Sequence, residues 1–197
     1  MKHLPGIVLA ALLGLPLWAG PATALSVVER DFGELVDRAE LVLVGTASEQ
    51  HSYADPAGGP RPWIYTDITF TDLEFIKGEV PSTHYTLRIS GGRVAGRALD
   101  IPGLPRFKTG ERYLIFVKGN GRLFFPVVGV HQGMFQILRQ SGGPARVLDA
   151  GGKPVVAILG RHVVTAPTTG RAAQREAMTL EAFTARIRGR LHGGGQP

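Results

Sequence analysis

The sequence contains no cysteine. That absence excludes a disulfide framework, thiolate metal ligands, and lipid attachment at a cysteine behind a cleaved leader. A domain of this length has enough core to fold without covalent staples. Catalytic signatures are missing too. The six histidines (His3, His51, His84, His131, His162 and His192) lie far apart, with no HExxH and no pair at ligand spacing. Ser90 and Ser141 each stand before a glycine pair, and neither sits in a GxSxG elbow. Gly91-Gly92-Arg93-Val94-Ala95-Gly96 lacks the GxGxxG pattern, and no Walker lysine follows it. No internal repeat or low-complexity tract occurs. No catalytic, cofactor-binding or metal-binding residue is therefore assigned, although an enzyme of unrecognised class stays open.

Long apolar runs are also scarce, and the one at the start has a different meaning. Lys2 and His3 precede an apolar run from Ile7 to Trp18, broken by Gly14 and Pro16. It falls short of the ~20 residues that a membrane span needs. Ala22-Thr23-Ala24 places small residues where a signal peptidase reads them. Residues 1–24 are thus expected to be an export signal cleaved after Ala24, with an uncleaved anchor as the alternative. No twin-arginine pair precedes the run, which favours the general secretory route. The expected location is the periplasm or the exterior of a bacterium, with no membrane span after cleavage.

Hydrophobic residues make up 44% of the 197 and charged residues 19%, with 27 glycines and 14 prolines. That balance predicts a folded domain of many short strands joined by turns. Its expected divisions are a β-barrel domain with an N-terminal helix over 25–165, then a linker, C-terminal helix and disordered tail over 166–197. Ser26 and Asp31 each open a capping-box pattern, and Val28, Phe32, Leu35, Val36 and Ala39 share one helical face. Leu41 to Ala47 reads as a central strand, and His51 to Pro62 as a polar loop. From Trp63 to Lys77 the residues alternate, but the phase slips near Thr71 or Asp72, the mark of a β-bulge. Tyr85–Ile89 and Arg112–Lys118 are further strands. Gly119-Asn120-Gly121 predicts a tight hairpin turn returning through Leu123 to Val130. Met134–Leu138, Ala145–Leu148 and Val155–Leu159 complete the expected strands. Thr179 caps a last helix on which Phe183, Ile187 and Leu191 recur every fourth residue.

The positive charge is concentrated. Eight basic residues (Arg88, Arg93, Arg97, Arg106, Lys108, Arg112, Lys118 and Arg122) face only Asp100 and Glu111 between positions 81 and 122. Such a surface attracts anionic partners, or it is a solvated face that keeps the chain soluble. Arg88, Arg93, Arg97, Arg106 and Lys108 are the candidate partner-binding residues. They lie on or beside the Gly91–Phe107 loop, where binding groups often sit.

One order of motifs is more specific than any of its parts. Ala39-Glu40-Leu41-Val42-Leu43-Val44-Gly45 is followed by Ile64-Tyr65-Thr66, which opens a strand closing at Ile76-Lys77-Gly78. Then come Phe107-Lys108-Thr109-Gly110-Glu111-Arg112-Tyr113-Leu114-Ile115 and a Gly-Asn-Gly-Arg turn. Over about residues 39–138 this order resembles the netrin-like domain, the OB-type barrel of tissue inhibitors of metalloproteinases. It is also similar to a group of uncharacterised bacterial secreted proteins. The resemblance implies a small closed barrel with added helices and a habit of binding proteins. The inhibitors chelate their target's zinc through an N-terminal cysteine, which is missing here, so that mechanism does not carry over.

Two functions follow as expectations. The first is an exported, non-catalytic module binding a protein in the envelope or outside the cell. The alternative is a polyanion-binding domain for a glycan or nucleic acid, with Trp63, Tyr65, Tyr85 and Phe107 as stacking rings.

Overall fold

The computed structural model describes residues 30–56, 59, 61–139 and 142–193. The expected export signal, the Ser26 capping pattern and residues 194–197 of the tail lie outside the described residues.

The first element among the described residues is α1 (Phe32–Arg38). Asp31 caps it as the sequence predicts: its Oδ1 accepts the Glu34 N–H at 2.8 Å, and Glu34 Oε2 accepts the Asp31 N–H at 3.3 Å. Strands β1 (Leu41–Ala54), β2 (Ile64–Lys77) and β3 (Tyr85–Ser90) follow as an antiparallel meander. A small hairpin, β4 (Gly92–Val94) and β5 (Arg97–Leu99), precedes β6 (Arg112–Val117), β7 (Met134–Leu138) and β8 (Arg146–Asp149). A second hairpin joins β9 (Val155–Leu159) to β10 (His162–Thr165), and α2 (Arg171–Glu176) and α3 (Leu180–Gly193) close the chain. Six strands form one sheet in the order β3-β2-β1-β6-β7-β8.

The sheet has two faces, and both are apolar at its centre. On one, which we call the helical face, Val42, Val44, Leu114 and Phe116 pack beneath α1 and α3 with Phe32, Leu35, Phe183 and Ile187. On the other, the loop face, Leu41, Leu43, Tyr113, Ile115 and Val117 pack against Phe107, Phe125 and Val127. Strands buried on both sides must be apolar at every position, so Leu41–Val44 and Tyr113–Val117 read as unbroken runs. The Phe32 and Phe183 rings meet edge-on at 5.6 Å, which seats the last helix on the first. Arg190–Asp37 at 2.6 Å and Arg188–Glu74 at 3.1 Å flank that contact. The final helix is thus part of the same packed unit as the sheet.

The phase slip in β2 is real. Val44 opposes Glu74 and Thr46 opposes Thr71, so two β2 residues fall between paired positions, and Asp72 takes a positive φ of 50°. Two further register shifts lie between Val42 and Leu43 and between Ala47 and Glu49.

Three expectations need correction. The sheet is not closed into a barrel: β3 and β8 are its two ends. The chain after β6 reaches β3 only through single bonds, because residues 118–127 turn repeatedly instead of forming the expected return strand. Their one bridge is Val117 to Val127. The loop expected from His51 begins later, since His51–Ala54 pair with Ile64–Asp67 and extend β1. The hairpin β9–β10 includes a strand, His162–Thr165, that the sequence reading missed.

Candidate functional site

The helical face is covered only over half its length. Beyond the bulges, β1 and β2 run past the helices, and with β3 they form a three-stranded end. Residues opposite Ile68 and Leu87 in the pleat point away from the loop-face core, so His51, Tyr53, Tyr65, Asp67 and Arg88 line this open half. His51 pairs with Asp67 and Asp67 with Arg88, while Tyr53 pairs with Tyr65, giving two cross-strand rows.

Arg88 organises both rows. Its Nε and Nη2 donate to the two Asp67 carboxylate oxygens at 2.9 and 3.2 Å. Its guanidinium carbon lies 5.5 Å from the Tyr53 ring centre and 6.0 Å from that of Tyr65. The His51 and Tyr53 rings stack at 6.0 Å. Partial burial and the Asp67 charge push the Tyr53 hydroxyl above its ordinary range, and the Asp67 hydrogen bond raises Arg88 further. The five side chains hold one another in place, so little rotamer freedom remains to be lost on binding.

Beside these rows a cleft of about 590 Å³ opens, lined by Tyr53, Trp63, Tyr65, Arg88, Leu123 and Phe124 among others. Trp63 is 45% exposed, Leu123 52% and Phe124 43%. Only Leu159 joins them as an exposed large apolar side chain among the described residues. Three of four therefore meet in one cleft, which scattered surface residues would not do. Segments far apart in sequence supply them: the residue just before β2 is Trp63, and the turn after β6 gives Leu123 and Phe124.

The five candidate contact residues do not form one patch. Arg88 lies in the cleft. Arg93 and Arg106 both reach Asp100, at 3.1 and 2.9 Å, at a second cavity of about 350 Å³ on the loop face. Arg97 donates to the Pro62 carbonyl at 3.3 Å, and Lys108 pairs with Glu111 at 3.5 Å. Arg122 pairs with Glu40 at 3.2 Å. Within the basic segment, Arg88 and Arg122 are thus matched by acids from elsewhere in the chain, Asp67 and Glu40, which linear charge counting cannot show. Of the four proposed stacking rings, Trp63 and Tyr65 are at the cleft. Phe107 is buried in the loop-face core, and Tyr85 is held by Asn120 at 2.9 Å.

His51, Tyr53, Leu123 and Phe124 were not singled out from the sequence. The available signal was His51-Ser52-Tyr53 standing across a turn from Trp63-Ile64-Tyr65, aromatic residues alternating on both sides. Among the described residues, no group of three His, Asp or Glu side chains is placed to hold a metal ion. No helix among them is long and apolar enough to cross a membrane. No family model, curated protein or solved structure matches the chain.

Proposed function

We propose that the protein is an exported, non-catalytic module that docks a partner protein on the open end of its sheet. The observation that carries this reading is the convergence of exposed Trp63, Leu123 and Phe124 with Tyr53, Tyr65 and Arg88 in one cleft. Tryptophan, tyrosine and arginine are the residue types that dominate binding energy at protein interfaces. Charge balance separates this from the polyanion alternative. Arg88 is neutralised by Asp67 and Arg122 by Glu40, so the cleft offers apolar surface with little uncompensated positive charge. We read the sheet itself as an opened OB-type, netrin-like barrel, on the strength of its long first strand and its bulged second strand.

The test is capture from envelope and culture fractions at two salt concentrations, with the unmodified protein and a Trp63→Ala/Phe124→Ser variant side by side. A single protein retained at both salts by the first and lost by the variant supports the reading. Broad retention that disappears at higher salt, equal for both baits, points to polyanion binding through counterion release and rejects it.

A further inference from the structure

At the β3 and β8 margins of the sheet, main-chain groups find partners outside the strands. At the β3 margin, the Asn120 side chain stands in for a strand: its Oδ1 accepts the Arg88 N–H at 3.0 Å and its Nδ2 donates to the Thr86 carbonyl at 2.7 Å. The Ser90 N–H continues to the Phe124 carbonyl at 2.9 Å. At the β8 margin, the Val147 N–H reaches Met178 O and the Asp149 N–H reaches Lys153 O, at 3.0 and 2.8 Å. Covering edges in this way prevents uncontrolled strand pairing.

The far half of β1 differs from these two margins. On that side β6 pairs only as far as Thr46, and Ala47 exchanges bonds with Glu111 and Gly110 before the chain there turns away. The Asp55 N–H donates to Trp63 O, which fixes the odd-numbered residues of this stretch as those bonded to β2. The N–H and C=O groups of Gln50, Ser52 and Ala54 consequently point outward, and no described residue pairs with them. Glu49, Gln50 and His51 are exposed. The opening thus lies between the aromatic rows of the helical face and the loop-face cavity, to which Gln50 and Ser52 also contribute.

We infer that the partner docks by adding an extended strand to this edge of β1, a proposal that rests on the protein-binding reading above. Alternate side chains of the added strand would point to the two flanking surfaces. On the loop-face side, Arg93 and Arg106 share the single carboxylate of Asp100, leaving one positive charge that suits an acidic side chain. On the helical side, Tyr53 and its neighbours suit an apolar one. A second copy of this chain fits less well. Two-fold pairing centred on Ser52 sets Glu49 opposite Asp55 twice, and like charges directly opposite destabilise a strand pair.

The test uses peptides, not the natural partner. Phage-displayed random peptides are selected on the purified protein, and the best binder is resynthesised with its amides N-methylated one at a time. Strand addition predicts an alternating sequence whose affinity falls roughly tenfold when amides of one parity are methylated, about what one or two main-chain hydrogen bonds supply. Ala54→Pro should weaken binding comparably. Its N–H is outside the β2 ladder, so proline is tolerated there and the melting temperature stays near that of an Ala54→Val control. Binders indifferent to methylation at both parities and to Ala54→Pro, yet lost in Trp63→Ala/Phe124→Ser, would overturn strand addition and leave cleft docking intact. Failure to enrich any peptide would overturn both.

Discussion

At one end of the six-stranded sheet, Val42, Val44, Leu114 and Phe116 lie beneath α1 and α3; at the other end of the same face, no helix among the described residues lies above Tyr53, Tyr65 and Arg88. The covered end is purely apolar and interlocks through Phe32, Phe135 and Phe183. The open end uses aromatic rings with polar tips and an Arg–Asp pair, groups that tolerate water on one side and a partner on the other. The bulges in β1 and β2 separate the two regimes. One strand pair can therefore build the core in its first half and present a surface in its second.

Substitutions at the two ends should differ sharply. The largest effect is expected from Phe183→Ala, which empties a fully buried ring site under α3 and should cost about 3–5 kcal/mol in denaturant unfolding. Gly92→Ala comes next. A Cβ there would lie 2.4 Å from Thr66 Oγ1 and 2.6 Å from Ser52 Oγ, at a φ of 137°. A loss of ~1–3 kcal/mol is expected, since the backbone must shift where β4 crosses β1 and β2. Asn120→Ala strips the cap from the β3 margin and should cost about 1 kcal/mol. It should also produce concentration-dependent self-association in sedimentation, because that edge then accepts another strand. Trp63→Ala should change stability by no more than ~0.5–1 kcal/mol while abolishing partner capture. Comparable losses of stability from Trp63→Ala and Phe183→Ala would break the contrast between the two ends.

The smallest effect concerns pH. The Arg190 guanidinium beside Asp37 holds that carboxyl below the usual aspartate range. Its folded pKa is therefore lower than its unfolded one, so the unfolded chain binds more protons in that window. The stabilisation is present above about pH 4 and is lost as pH falls through the folded value. Asp37→Asn should flatten the acid limb of the stability curve slightly, because the pair is half exposed and screened by solvent.

What the sequence reveals follows the same division. In the covered half, periodicity suffices. The Asp31 capping box, the unbroken runs of β1 and β6, the slip at Asp72 and the fourfold spacing of Phe183, Ile187 and Leu191 all announce their structure. Each is a local pattern imposed by a buried face. In the open half the pattern fails. His51–Ala54 look like loop because their strand is polar on one side and edge-exposed on the other. Leu123 and Phe124 look like a strand because apolar residues following a Gly-Asn-Gly turn usually are one. The pairing of Arg88 with Asp67 and of Arg122 with Glu40 depends on register and chain reversal, which charge spacing along the sequence does not encode. Closure of the sheet is likewise a long-range property. It depends on whether residues 118–127 extend or turn, and here they turn.

The most direct measurement is amide chemical-shift mapping of the isotopically labelled protein titrated with a selected peptide. The expected result is perturbation confined to residues 50–54, 63–67, 88 and 123–124 and to the loop-face cluster of Arg93, Asp100 and Arg106, with α1 and α3 unmoved. Perturbation centred on α3 or on the β9–β10 hairpin, with the open end silent, would contradict the assignment of binding to the uncovered half of the sheet.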